Sequence, residues 1–187
     1  MVKLSAKAIS KSGEQKLAAR ALKTVVPKNK PLIGCHVSIA GGLQNAPARA
    51  ADFGCETFQI FSRSPQGGAA APITPELATE FKYEMKKFNL DTFVIHAPYI
   101  LNFGSAKPST FHGSVNLVRT DLERGSLLGA KYVMFHPGSF KDLGSKVGMK
   151  QAQEGLKKVM DGYKGTTKLL IEISAGAGEV IGDTFEE

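Results

Sequence analysis

Three short apolar runs in this chain each end in a residue able to bind a metal ion. Phe93-Val94-Ile95 leads into His96-Ala97-Pro98-Tyr99, and Tyr132-Val133-Met134-Phe135 leads into His136-Pro137-Gly138-Ser139. Leu169-Leu170-Ile171 leads into Glu172, followed by Ser174-Ala175-Gly176. A single histidine closing an apolar strand is more often a hydrogen-bonded core residue. Ligand types placed alike on successive runs point instead to a shared ion. Two imidazoles and a carboxylate leave a coordination position open, which is how a catalytic zinc keeps a water molecule that it can acidify. His36 also ends an apolar run, but Val37-Ser38 follows it. It is expected to supply a supporting hydrogen bond at most. His112 falls near a helix start and is expected to be exposed.

The elements that must position these groups alternate regularly. Apolar runs over 32–37, 56–61, 92–95, 131–135 and 168–172 read as strands. Helical spacing marks 43–53 (Leu43, Ala46, Ala50, Phe53), 74–88, 110–128 and 149–161. Thr74-Pro75 has the form of an N-cap with proline at the first helical position, and Gly54 and Gly129 stand where helices close. A further helix start is expected at Asp183. Strand–helix alternation implies parallel strands joined by right-handed crossovers. Neighbouring strands lie about 4.7–4.9 Å apart, so ligands at the ends of strands three to five can converge. The choice is between part of an eight-stranded barrel and a five-stranded doubly wound sheet. The stretch His36-Val37-Ser38-Ile39-Ala40-Gly41-Gly42 lacks the glycine spacing of a dinucleotide fold. Functional residues at the C-terminal ends of strands are the rule in barrels, which favours the first.

Composition sets the frame. At 42% apolar and 22% charged, the chain has ordinary globular usage. No run approaches the roughly 18 apolar residues of a membrane span, so no membrane partner is expected. Cys35 and Cys55 form no CxxC, and the start of the chain has no secretory apolar segment. A reducing, intracellular compartment is expected, cytoplasmic and nucleoid-associated, or nuclear or mitochondrial in a eukaryote. The net charge of +7 resides in residues 1–30, a basic arm whose only acid is Glu14. Such an arm suits phosphate contacts, since each neutralised phosphate releases counterions. A plain solvated tail and a Lys-rich organellar transit peptide are the competing readings. Residues 31–187 are then the folded part.

Four stretches together carry a resemblance. His96-Ala97-Pro98-Tyr99-Ile100-Leu101-Asn102 resembles the His-x-x-Tyr-aliphatic-aliphatic-Asn signature of the endonuclease IV family (AP endonuclease family 2). Gly34-Cys35-His36-Val37-Ser38-Ile39-Ala40-Gly41-Gly42-Leu43 is similar to that family's opening strand and turn. Phe135-His136-Pro137-Gly138-Ser139 and Leu170-Ile171-Glu172 with Ser174-Ala175-Gly176-Ala177-Gly178 are similar to its fourth and fifth strand motifs. The resemblance implies a TIM (β/α)8 barrel of the xylose-isomerase-like type, truncated here after about five strands. It implies a zinc-dependent AP endonuclease of base-excision repair, monomeric when complete. Such an enzyme holds up to three zinc ions, or manganese, and hydrolyses double-stranded DNA 5′ to an abasic site. His96, His136 and Glu172 match the ligands of one zinc. Glu172 also matches the carboxylate that bridges to a second ion, and so takes the catalytic role. Tyr99, with Ile100 beside it, matches a tyrosine that wedges into DNA, as minor-groove proteins do when they unstack a base step.

Two departures from the family pattern stand out. In the loop Ser62-Arg63-Ser64-Pro65-Gln66-Gly67-Gly68, Gln66 and Gly68 replace an arginine and a tryptophan that probe DNA. Gln66 is expected to hydrogen-bond in a groove and Arg63 to contact phosphate. The family's later Asp-Thr-Cys-His and Asp-Arg-His stretches and a last-strand Glu, which complete the second and third ion sites, have no counterpart. The chain therefore reads as an incomplete copy, expected to hold at most one zinc firmly and to incise little by itself. Two other readings remain, a sugar isomerase-like barrel and a non-catalytic DNA-binding remnant.

Overall fold

The computed structural model describes residues 30–187. The basic arm expected over 1–30 lies outside the described residues except for Lys30, whose Nζ pairs with Glu56 at 3.2 Å. In chain order the strands are β1 (Gly34–His36), β2 (Thr57–Phe61), β3 (Phe93–His96), β4 (Tyr132–Phe135) and β5 (Lys168–Ile171). The helices are α1 (Ala46–Asp52), α2 (Pro75–Lys87), α3 (Pro108–Leu128) and α4 (Ser145–Met160), with a 3₁₀ turn over Leu43–Asn45. One parallel sheet carries the strands in the order β1-β2-β3-β4-β5. A doubly wound sheet must reverse its strand order at a switch point. Here each strand pairs with the next in sequence, as around a barrel wall.

The two faces of the sheet differ in what they bury. Phe58, Ile60, Phe93, Ile95, Val133 and Phe135 alternate along β2–β4 and are nearly or wholly excluded from solvent. They point at the helices, because successive side chains of a strand take opposite faces. The Phe81 ring of α2 lies 5.0 Å from Phe93, and that of Phe103 lies 5.3 Å from Phe135. Val118 and Leu122 of α3 and Val159 of α4 complete this layer. The opposite face carries Gln59, Phe61, Val94, Tyr132 and Met134, all half-buried. Its upper rim holds the candidate ligands. Among the described residues the outer strands are open: β1 is exposed throughout, and Ile33 and Ile171 are 68% and 47% exposed.

Several boundaries differ from expectation, each for a local reason. The helix expected from Leu43 begins as a 3₁₀ turn and becomes α-helical at Ala46, with Pro47 in its first turn, where a missing N–H costs nothing. Helix α4 starts at Ser145, four residues before the predicted start. Gly148 in its first turn hides this start from a propensity argument. Yet a Cβ at Gly148 would strike Phe140 Cβ and crowd its Cα, so the glycine lets the helix approach the chain at Phe140. No helix forms at Asp183; the chain there is held by Ser174 N–H donating to Gly182 O at 2.8 Å. Thr74 caps α2 as expected, its Oγ1 accepting from Leu77 N–H at 3.2 Å, and Gly129 closes α3 in the left-handed region. Cys35 and Cys55 are both free, yet pairing of β1 with β2 brings their Sγ atoms to 3.6 Å. Among the described residues, no helix is long and apolar enough to cross a membrane.

Candidate metal centre

His96 is the last residue of β3, and His136 and Glu172 each follow the last residue of β4 and β5. The ladder continues past the strand ends: Glu172 N–H donates to Phe135 O at 3.1 Å, which sets Glu172 beside His136. Glu172 Oε2 stands 3.3 Å from His136 Nε2 and 3.6 Å from His96 Nε2. The ligand atoms of all three residues lie within 4.8 Å of one another. The expected trio is therefore brought together.

The donor geometry fits a metal ion. Donor atoms about 2.0–2.2 Å from a tetrahedral zinc lie about 3.3–3.6 Å from each other. Both observed separations fall in that range and exceed the roughly 2.7–3.2 Å of an N–H···O hydrogen bond. The tautomer of His96 is also suitable. Its Nδ1 lies 2.6 Å from Ala97 O, an acceptor only, so Nδ1 donates and Nε2 keeps its lone pair towards Glu172. Burial pushes the His96 pKa below its ordinary value, against the Ala97 carbonyl, which raises it. Burial and the Nδ1 bond thus both suit His96 to serve as a ligand through Nε2. His136 and Glu172 are more open, with side chains 39% and 40% exposed.

An aromatic rim borders the trio. The Tyr99 ring packs edge-on against His96 at 5.2 Å and against Phe61 at 5.3 Å, yet Tyr99 is 64% exposed. Ile100, also exposed, lies against Gly67, where a Cβ would meet its Cδ1. Gln66 is exposed on the same loop, its Oε1 accepting from Ser64 Oγ at 2.8 Å. Tyr99 N–H donates to Pro65 O at 3.2 Å, joining this loop to the one after β3. His36 takes no ligand position; its Nδ1 pairs with Gln59 Oε1 at 2.9 Å and its ring lies 4.4 Å from Phe61. His112 is exposed, as expected.

Arg63 is a correction. Expected at a phosphate, it is 8% exposed and its Nε donates to Asp121 Oδ1 at 3.0 Å. The reason is Asp121, fully buried on α3, where an uncompensated carboxylate would be costly. Burial pushes the Asp121 carboxyl pKa up, while Arg63, Ser62 and Arg124 pull it down. Two groups of importance went unassigned in the sequence. Asn102 Oδ1 accepts from Gly104 N–H and Ser139 N–H, both at 3.0 Å, and so ties the loop after β3 to that after β4. Gly138 leaves the room for this, since a Cβ there would meet Asn102. Asp121 and Arg124 form the second group; Asp121 sits three residues after Val118 and four before Gly125, on the buried stripe of α3. That position on an apolar stripe is the signal that could have found it.

A family model of the xylose isomerase-like TIM barrel matches residues 47–187. Fold and match together define a barrel of that class. Among curated proteins, the chain is 37% identical over 158 residues to a probable endonuclease 4 of Thermoplasma acidophilum, covering 84% of this chain and 54% of that protein. It is 40% identical over 159 residues to one of Listeria welshimeri, covering 83% and 53%. The crystal structure of endonuclease IV from Thermus thermophilus superposes with a TM-score of 0.73 at 35% identity, over 83% of this chain and 56% of that one. A D-tagatose 3-epimerase-like protein shares the fold alone, with a TM-score of 0.61 at 19% identity. The chain belongs to the endonuclease IV family. It spans about half the length of the curated relatives it matches.

Proposed function

We propose that this chain carries the first metal site and part of the DNA-probing rim of a zinc- or manganese-dependent AP endonuclease. Its reaction is hydrolysis of the phosphodiester 5′ to an abasic site in duplex DNA. The observation that carries the reading is the convergence of His96, His136 and Glu172 beside an exposed Tyr99-Ile100 pair. A divalent ion there would acidify a water molecule and offset the charge of a phosphate. The protein's own groups prepare the place. His96 holds its lone pair inward through the Nδ1–Ala97 bond, and Glu172, facing both imidazoles, is the shared carboxylate and the catalytic group. Tyr99 and Ile100 supply a wedge at the mouth, where insertion compensates unstacking by gripping a kinked duplex. Gln66 offers a hydrogen-bonding amide on the neighbouring loop.

The test uses the full chain, zinc or manganese, and a duplex with one tetrahydrofuran abasic analogue. Incision on the 5′ side, lost in His136→Ala, supports the nuclease reading for this chain itself. Binding without incision supports a DNA-binding role only. Absence of both, with turnover of a ketose, supports the sugar-isomerase alternative that the shared fold leaves open. Metal analysis is expected to return about one zinc per chain, as the ligand count of one His₂Glu site requires.

A further inference from the structure

The loop that carries Gln66 is closed at its base by a single buried side chain. Arg124 of α3 is 7% exposed, and its guanidinium reaches both feet of the segment. Nη2 donates to Ser62 O at 2.5 Å at one end, and Nη1 donates to Ala71 O at 2.7 Å at the other. Nε donates to Ser62 Oγ at 2.9 Å, and that hydroxyl donates in turn to Asp121 Oδ1 at 2.7 Å. Arg63 Nε occupies the same carboxylate oxygen. Between its feet the loop turns through Gly67 N–H donating to Ser64 O at 3.0 Å, and meets the rim at Tyr99 N–H and Ile100.

Such a network is not the cheapest way to fill an interior. Apolar side chains of similar volume are often as stabilising as buried charges, and two polar atoms here, Arg63 Nη2 and Asp121 Oδ2, are buried with no hydrogen-bond partner. What the arrangement achieves is geometric. A planar guanidinium with five donors in a rigid fork holds two carbonyls at a set separation, whereas the three donors of an ammonium converge on one atom at the end of a flexible stem. We propose that Arg124, held by Ser62 and Asp121, is a positioning residue. By fixing both feet of the segment 62–71, it sets the height of Gln66 and Gly67 against Tyr99 and Ile100 at the mouth of the metal site. The clamp is independent of the nuclease reading; its effect on DNA rests on that reading.

The experiment compares Arg124→Lys, which keeps the charge, and Asp121→Asn, which keeps the shape, with Leu122→Ala, a core truncation on the same helix that leaves the clamp intact. Two measurements are made on the full chain: hydrogen exchange over 64–71 and at Tyr99 N–H, and affinity for the abasic-analogue duplex by fluorescence anisotropy. Exchange in the loop and at Tyr99 is expected to rise about tenfold or more in Arg124→Lys, the scale of losing a charged hydrogen bond. Affinity is expected to fall by about the same factor with zinc content unchanged, while Leu122→Ala alters neither selectively. If Arg124→Lys is too unstable to study, Asp121→Asn decides by the same readouts. Unchanged loop exchange in a folded variant overturns the proposal, as does faster exchange with undiminished affinity. If the unmutated chain does not bind the duplex, the nuclease reading fails, and loop exchange alone still decides whether the clamp exists.

Discussion

At the scale of single residues, what matters is which atoms a side chain presents and what already occupies them. His96 has its Nδ1 engaged by Ala97, while both imidazole Nε2 atoms face Glu172. Replacing His136 by alanine removes a donor without opening the core, because its side chain is 39% exposed. Isothermal titration with zinc is expected to show a loss of at least about 100-fold in affinity, above the 10–100-fold typical of changes to residues behind a ligand, with little change in apo-protein melting. Asn102→Ala should behave in the opposite way. It leaves the Gly104 and Ser139 N–H groups without their acceptor, so a destabilisation of about 1–3 kcal/mol is expected in urea titration, with the metal ligands intact. The trio was readable in advance because each member ends an apolar run, a local signal. Arg63 was misread because an arginine among serines and glycines looks solvated. Its partner Asp121 lies 58 residues away, and only the folded chain brings them together.

Secondary-structure elements were legible to the extent that their hydrophobic period and caps agreed. Helix α2, with Thr74, Pro75 and an apolar stripe through Phe81 and Met85, lies where its sequence places it. Helix α4 does not, since Gly148 argues against helix by propensity and for it by packing. These effects can be weighed by experiment. Alanine in place of glycine in a helix gains about 1 kcal/mol by propensity, but a Cβ at Gly148 would fall on Phe140 Cβ. Overpacking of this kind typically costs about 1–3 kcal/mol, so Gly148→Ala is expected to lower stability slightly. A rise in the denaturant midpoint would show that Phe140 yields easily. Because alanine keeps the Phe140 Cβ that the new methyl would meet, adding Phe140→Ala is not expected to restore the loss.

At the scale of the molecule, the sheet formed by the described residues has a buried centre and open sides. Phe58, Ile95 and Val133 lie deep between layers, whereas Ile33 beside β1 and Leu170 and Ile171 in β5 are exposed. Unpaired strand edges bearing apolar side chains favour pairing with another chain. Sedimentation velocity on the chain is expected to show apparent mass rising with concentration, and the double variant Ile33→Lys/Leu170→Lys is expected to suppress this. A concentration-independent monomer in the unmutated chain would refute the prediction. The strand order β1-β2-β3-β4-β5 has a further consequence, for how the chain is made. As the polypeptide leaves the ribosome, each of the described strands after β1 finds its preceding neighbour already synthesised. Growth is then by accretion on one edge. The candidate ligands arrive in the same order, so the trio is complete only when Glu172 has followed the two histidines.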